Sequence, residues 1–222
     1  MNLLITKTLP ADQLDMVRSF GWTYDVIIAL EITIAAVDSI PSGSDAWIIS
    51  SRNSMQAVEK FKDLAPDIIY VVGEWLHEKI KALLANAKVR SYPNMKALTD
   101  ELSKASIQSV LYFCADNHRE DLDKGLAGSS VTISKVITHH SRETNPVLSK
   151  NYDVVLMFSP RSAKSLLTYN NFESRVLLAC IGQTTEWFLH VNGFKNTFCA
   201  SKPDSGILLK ELHTHLSFPK NP

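Results

Sequence analysis

Cysteine is scarce in this 222-residue chain: Cys114, Cys180 and Cys199 are the 3 present, and no two form a CxxC pair. An odd, sparse set of thiols excludes a disulfide-built scaffold and suits a reducing compartment. Net charge is lacking too. Lys and Arg total 23, and Asp and Glu total 23. There is no basic excess to mark a nucleic-acid partner and no acidic tail, so any recognition of an anion has to be local. Long apolar runs are also missing. The longest, over 26–37, is interrupted by Glu31 and Thr33 and falls short of the roughly 20 apolar residues a membrane span needs. Met1 leads directly into a strand-like stretch over 3–7, without the basic and apolar segments of a secretory signal. A soluble, cytoplasmic chain with no nucleic-acid or membrane partner is expected. No large exposed apolar helix face argues for a dimer, so a monomer is expected.

Familiar catalytic signatures are absent as well. No GxGxxG follows the stretch 3–7, which leaves a dinucleotide site unsupported. No GxxxxGK[ST] occurs, which excludes a P-loop. His139 and His140 are adjacent and would point to opposite faces of a strand. His213 and His215 lie near the C-terminus. None of the four has a Cys or acidic partner at a metal-ligand spacing, so no metal site is expected. No Ser/His/Asp nucleophile signature is present.

What the chain does contain is a degenerate copy of itself. Asp45-Ala46-Trp47-Ile48-Ile49-Ser50-Ser51-Arg52-Asn53-Ser54 parallels Asp153-Val154-Val155-Leu156-Met157-Phe158-Ser159-Pro160-Arg161-Ser162. Ile69-Tyr70-Val71-Val72-Gly73 parallels Leu177-Leu178-Ala179-Cys180-Ile181-Gly182, and the stretch 93–102 parallels 203–212. All three matches share an offset of about 110 residues, which implies duplicated domains rather than a solenoid of short repeats. Each half alternates short apolar runs with amphipathic stretches, the pattern of βα units around a parallel sheet. Helices are predicted over 11–20, 54–64, 74–85, 96–105, 119–126, 162–169, 184–192 and 206–215. Strands are predicted over 3–7, 47–50, 68–72, 88–90, 109–113, 154–158, 177–181 and 196–199. Two long β-branched stretches, 25–37 and 131–140, flank the first repeat without helices of their own. They read as strands carrying the chain from one domain to the other and back. One domain is then discontinuous, residues 1–33 with 139–222, and the other spans 34–138.

In open α/β sheets, ligands bind beyond the carboxyl ends of the strands, where helix N-termini present N–H donors. The turns Ser50-Ser51-Arg52-Asn53, Gly73-Glu74, Ser159-Pro160-Arg161 and Gly182-Gln183-Thr184-Thr185 all fall at such ends. Each offers main-chain donors and most add a hydroxyl. Taken singly, such turns are helix caps, for which Ser and Thr are routinely used. Two matching pairs, one per domain, suggest instead a cleft lined from both sides by anion-accepting helix ends.

The order of these motifs resembles the uroporphyrinogen-III synthase family. That family reads as a strand, a [TS]-S-x-N-[AS] turn, VG, a crossover strand, F-S-P-x-[SG], I-G-x-T-T and A-x-x-P. Here the motifs are Ser50 to Ser54, Val72-Gly73, Phe158 to Ser162, Ile181-Gly182-Gln183-Thr184-Thr185 and Ala200-Ser201-Lys202-Pro203. Lys7 stands where the family has Arg, and Arg119 stands at its arginine-bearing helix start. The resemblance implies two duplicated, flavodoxin-like α/β domains joined by a two-stranded β ladder, with the active site in the cleft between them. It implies no cofactor, and hydroxymethylbilane as the small-molecule substrate. The family closes this linear tetrapyrrole to uroporphyrinogen III with inversion of the last ring. Loss of the hydroxyl gives an azafulvene, followed by a spiro intermediate, fragmentation and reclosure. Lys7, Arg119 and the four turns would hold the substrate, with Thr184 the candidate catalytic hydroxyl. Such chemistry asks the protein to bias geometry more than to supply a strong base. Two positions depart from the family: Val136 replaces a crossover-strand Tyr, and Leu76 replaces a Thr three residues after Gly73. Tyr112 is a candidate substitute hydroxyl, although its place within a strand more often means core packing. The departures motivate an alternative, a non-catalytic tetrapyrrole-binding module of the same fold. A two-domain solute receptor would need an export signal, and an electron carrier would need a richer phosphate loop than Thr8-Leu9-Pro10.

Overall fold

The computed structural model describes residues 1–118 and 120–217. The chain begins with β1 (Asn2–Ile5), α1 (Ala11–Ser19), β2 (Thr23–Val26) and β3 (Leu30–Ile34). It continues through β4 (Ala46–Ile49), α2 (Met55–Lys60), β5 (Ile68–Val72), α3 (Glu74–Leu83), β6 (Lys88–Tyr92) and α4 (Met95–Leu102). Next come β7 (Ser109–Ala115), α5 (Asp121–Gly125) and the long β8 (Thr132–Glu143). The last stretch is β9 (Val154–Met157), α6 (Pro160–Leu167), β10 (Leu177–Cys180), α7 (Gln183–Val191), β11 (Thr197–Cys199) and α8 (Ser205–Ser217). Two compact units result. One holds residues 1–31 and those from Arg142 onward; the other holds residues 32–141. Among the described residues, no helix is long and apolar enough to cross a membrane.

The first unit is built on a parallel sheet of order β11-β10-β9-β1-β2. Its central strands are buried on both faces, which is why they read as unbroken apolar runs. Leu3, Ile5, Val154, Leu156, Leu177 and Ala179 meet Val17 of α1 and Leu208, Leu209 and Leu212 of α8. On the other face Leu4, Val155, Met157, Leu178 and Cys180 meet Ala163 and Leu166 of α6 and Leu189 of α7. Burial pushes the Cys180 thiol up to about 12, which makes it a small core hydrophobe rather than a nucleophile.

The second unit has a sheet of order β3-β8-β7-β4-β5-β6, with parallel pairing from β6 through to β8. Trp47, Ile49, Ile69, Val71 and Phe113 pack with Val58 of α2 and Leu76 and Ile80 of α3. Ile48, Tyr70, Val110, Tyr112 and Cys114 pack on the opposite face with Leu98 and Leu102 of α4 and Leu122 of α5. The modules β4-α2-β5-α3-β6-α4 and β9-α6-β10-α7-β11-α8 succeed each other identically, as the repeat in the sequence predicts. Strand order is shared too: β6-β5-β4-β7-β8 in one unit corresponds to β11-β10-β9-β1-β2 in the other. The first unit therefore has the flavodoxin-like order 2-1-3-4-5. The second reaches the same spatial order from a chain that starts at the equivalent of the third strand.

Three local differences from the sequence reading have physical reasons. The stretch 25–37 is not one strand but two. The Ile27 amide donates to the Ile5 carbonyl at 2.9 Å and the Ala29 amide to Thr6 at 3.2 Å, which keeps the chain on the first sheet. Ala35 then donates to Thr138 at 3.0 Å, on the second. The stretch 131–140 extends to Glu143, and its register against β7 shifts between Cys114 and Ala115, which pair with Ile137 and His139. Thr138 is passed over, as in a β-bulge. The helix expected over 54–64 is interrupted at Phe61, leaving α2 flanked by 3-10 turns over Arg52–Ser54 and Lys62–Leu64.

Candidate active site

In the first unit the carboxyl ends of β1, β9, β10 and β11 each deliver a turn to the same sheet edge. Strand order reverses between β1 and β9, the crevice at which such sheets bind ligands. Thr6 closes β1 against β9: its buried hydroxyl donates to the Leu156 carbonyl at 2.7 Å. Lys7 follows, exposed, with Nζ 4.2 Å from the centroid of the Phe158 ring. Ser159 caps α6. Its Oγ accepts the Ser162 amide at 3.0 Å, and the Ser162 Oγ accepts the Ser159 amide at 3.0 Å. Pro160 occupies the first turn, where it lacks an N–H to offer. The Ser159 hydroxyl is thus engaged in the cap, and the cation of this turn is Arg161, whose Nε donates to Glu143 Oε1 at 3.4 Å.

At β10, Gly182 precedes α7, and its carbonyl accepts the amides of Thr185 and Glu186 at 3.0 and 3.2 Å. The amides of Gln183 and Thr184 are the leading donors of this nine-residue helix. Thr185 is buried, whereas Thr184 is exposed. An open groove of about 650 Å³ is lined by Gly182, Gln183, Thr184 and Thr185 together with Ala200, Ser201, Lys202 and Pro203. The I-G-x-T-T and A-x-x-P motifs, some twenty residues apart in sequence, therefore share one cavity. It combines hydroxyls, helix-end amides and the Lys202 ammonium, donors suited to carboxylates, with the Glu186 carboxylate, which accepts the Thr197 hydroxyl at 3.0 Å. Ser201 is fixed by Glu211, which accepts both its amide, at 2.9 Å, and its hydroxyl. Those bonds hold the Glu211 carboxyl below its ordinary range.

In the second unit the equivalent edge carries Ser50 to Asn53 after β4 and Gly73-Glu74 after β5. Ser50 Oγ lies 2.9 Å from the Tyr112 hydroxyl, whose pKa burial raises. Ser51 Oγ accepts the Asn53 amide at 3.2 Å and lies 3.5 Å from His139 Nε2. His139 Nδ1 is 3.0 Å from Thr138 Oγ1, itself 2.9 Å from Ser54 Oγ. Burial pushes the His139 pKa down, which favours the neutral imidazole at this edge. Arg52 is exposed and its guanidinium lies 4.4 Å from the centroid of the Trp75 ring. Gly73 adopts φ +93°, a region that disfavours side chains, and donates its amide to Tyr92 at 2.9 Å. Glu74 is exposed, with Oε1 3.2 Å from His77 Nδ1. Arg119 lies outside the described residues.

The sequence model for uroporphyrinogen-III synthase HemD matches residues 25–210, most of the chain. The chain belongs to the uroporphyrinogen-III synthase family. Solved structures share the fold. A uroporphyrinogen-III synthetase from Helicobacter pylori superposes with a TM-score of 0.63 at 18% identity, covering 96% of this chain and 98% of that one. A mutant uroporphyrinogen III synthase from Thermus thermophilus superposes with a TM-score of 0.72 at 12% identity, covering 98% and 99%. No curated protein matches by sequence.

Family membership gives the two departures a structural meaning. Leu76 is 3% exposed and Val136 is 6% exposed, both in the same apolar cluster of the second unit. Neither position presents a hydroxyl to the sheet edge. Ser50, Ser51, Ser54, Tyr112 and Thr138 carry the hydroxyls described there. Three side chains at the two edges escaped the sequence reading. His139 reaches Ser51 across 88 residues, a proximity that no local pattern encodes. Lys202 was visible only as the variable position of A-x-x-P. Trp75 sits in an amphipathic helix, where an aromatic reads as core.

Proposed function

We propose that this chain cyclises hydroxymethylbilane to uroporphyrinogen III, inverting the terminal pyrrole ring, as a lyase of tetrapyrrole and heme biosynthesis. The observation that carries this reading is the family match over residues 25–210. The family's turn motifs fall at the carboxyl edges of two sheets of one strand order. Each unit offers candidate substrate-binding groups in its own turns. Lys7, Arg161 and the α7 amides with Thr184 and Thr185 act from one unit; Ser50, Ser51, Arg52, Asn53 and the Gly73-Glu74 turn act from the other. Ser159 and Pro160 hold α6 in place behind them. The work of these groups is to fix a flexible polycarboxylate so that the attacking and leaving carbons meet in the productive geometry. Loss of the substrate hydroxyl as water needs a proton at that oxygen. Thr184 is the hydroxyl assigned to hydrogen-bond to it in this proposal, and the helix dipole of α7 would favour negative charge developing nearby. The setting proposed is the cytoplasm, consistent with thiols that are all free, and the protein acts as a monomer without a cofactor.

The test is to supply freshly generated hydroxymethylbilane, oxidise the products to porphyrins and separate the isomers. The type III isomer in excess is expected. Type I alone, the product of unassisted ring closure, would reject the activity and favour a binding module.

A further inference from the structure

Arg52 differs from the other described arginines in how its charge is held. Arg18, Arg90, Arg142, Arg161 and Arg175 each pair with a carboxylate. Among the described residues Arg52 has no acidic partner. Its guanidinium carbon lies 4.4 Å from the Trp75 ring centroid instead. Trp75 is half-buried and seated against the apolar cluster of the second unit, so it is a rigid platform. It is also the second residue of α3, one step beyond the Gly73-Glu74 turn. Stacking couples the turn after β4 to the helix after β5, two neighbouring strands of one sheet. A guanidinium held over an indole can keep N–H donors available for a bidentate carboxylate contact; a lysine ammonium lacks that planar fork. A contact that restrains Arg52 in the free protein reduces the side-chain entropy it would lose on capturing a ligand.

We propose that Trp75 is a positioning residue: its ring holds the Arg52 guanidinium at the sheet edge, ready to take a carboxylate of the tetrapyrrole substrate. This rests on the functional reading above and adds to it a residue outside the family's turn motifs.

Steady-state kinetics with hydroxymethylbilane test it on wild type, W75F, W75L, R52K, R52A and the R52A/W75L pair. Binding of uroporphyrin III, a stable polycarboxylate, is measured in parallel. R52A should raise KM by about tenfold, the loss of one charge-assisted bidentate contact. W75L should raise KM by about threefold with kcat unchanged, the scale of an exposed cation–π contact. W75F, which keeps an aromatic face, should stay near wild type. R52K should behave like R52A, and the double variant should be no worse than R52A. Wild-type KM in R52K, or an equal effect of W75L with and without Arg52, would overturn the proposal. Circular dichroism melts check that W75L folds; R52K is a surface change and keeps the test decisive if it does not. Should wild type give no type III product, the functional reading fails, and the same pattern in uroporphyrin binding then decides the Arg52–Trp75 pair by itself.

Discussion

Thr184 is exposed at the second residue of α7, and its side chain makes no hydrogen bond among the described residues. Its removal should cost the fold little and the reaction more. Thr184→Ala is expected to lower kcat by about tenfold, the worth of one transition-state hydrogen bond, with an unchanged Tm. Unaltered steady-state kinetics would remove it from the mechanism. His139 has the reverse character, buried and tied to Thr138. Burial lowers its folded pKa below the ordinary 6.5, so the unfolded chain takes up a proton before the folded one. The stability this residue contributes is complete above pH 6.5 and is lost as pH falls from there through the lower folded value. Urea midpoints at about pH 7.5 and about pH 5.5 should show wild type losing stability on acidification, with a smaller loss in His139→Asn. Equal losses in both proteins would contradict the assignment. At this scale the sequence spoke unevenly. Ser, Thr, Gly and Pro at strand ends have a local turn chemistry that marks them, whereas the Ser51–His139 and Arg52–Trp75 approaches are made by the fold.

The helices at the two edges depend on small, checkable devices. Ser159 and Ser162 form a reciprocal cap on α6, and Ser159→Ala should destabilise the protein by about 1 kcal/mol in urea unfolding. α4 and α5 pack through Gly125. A Cβ placed there would come within 2.3 Å of Thr99 Cγ2, and Thr99 is buried, with its hydroxyl donating to the Met95 carbonyl at 2.7 Å. Gly125→Ala should therefore cost about 1–3 kcal/mol, and adding Thr99→Ser, which removes that methyl, should recover part of it. No recovery would show that the strain lies elsewhere. Most elements were legible because strands covered on both faces read as apolar runs and the helices between them as amphipathic stretches. The split of 25–37 was not. Ile27, Ile28 and Ala29 carry no turn signal, and the break comes from hydrogen bonds to Ile5 and Thr6. The Thr138 bulge was hidden for the same reason: it is a property of the pairing with β7, not of the residues in β8.

Across the whole molecule, the internal repeat was the most readable feature, and two sheets of matching order account for it. Matching order sends chemically similar turns to equivalent edges: Ser51-Arg52-Asn53-Ser54 answers Ser159-Pro160-Arg161-Ser162, and Gly73-Glu74 answers Gly182-Gln183. The copies have since diverged. α7 keeps Thr184 and Thr185, while α3 carries Trp75 and Leu76 at the corresponding positions. One unit thus offers hydroxyl and amide donors, and the other a stacked guanidinium. That division of labour between the two sets of turns is the central claim. Amide hydrogen exchange with and without uroporphyrin III tests it most directly, because exchange resolves local protection along the backbone. The account predicts slowed exchange at both 50–53 and 182–185 on adding the ligand; protection confined to one of these turns would contradict it.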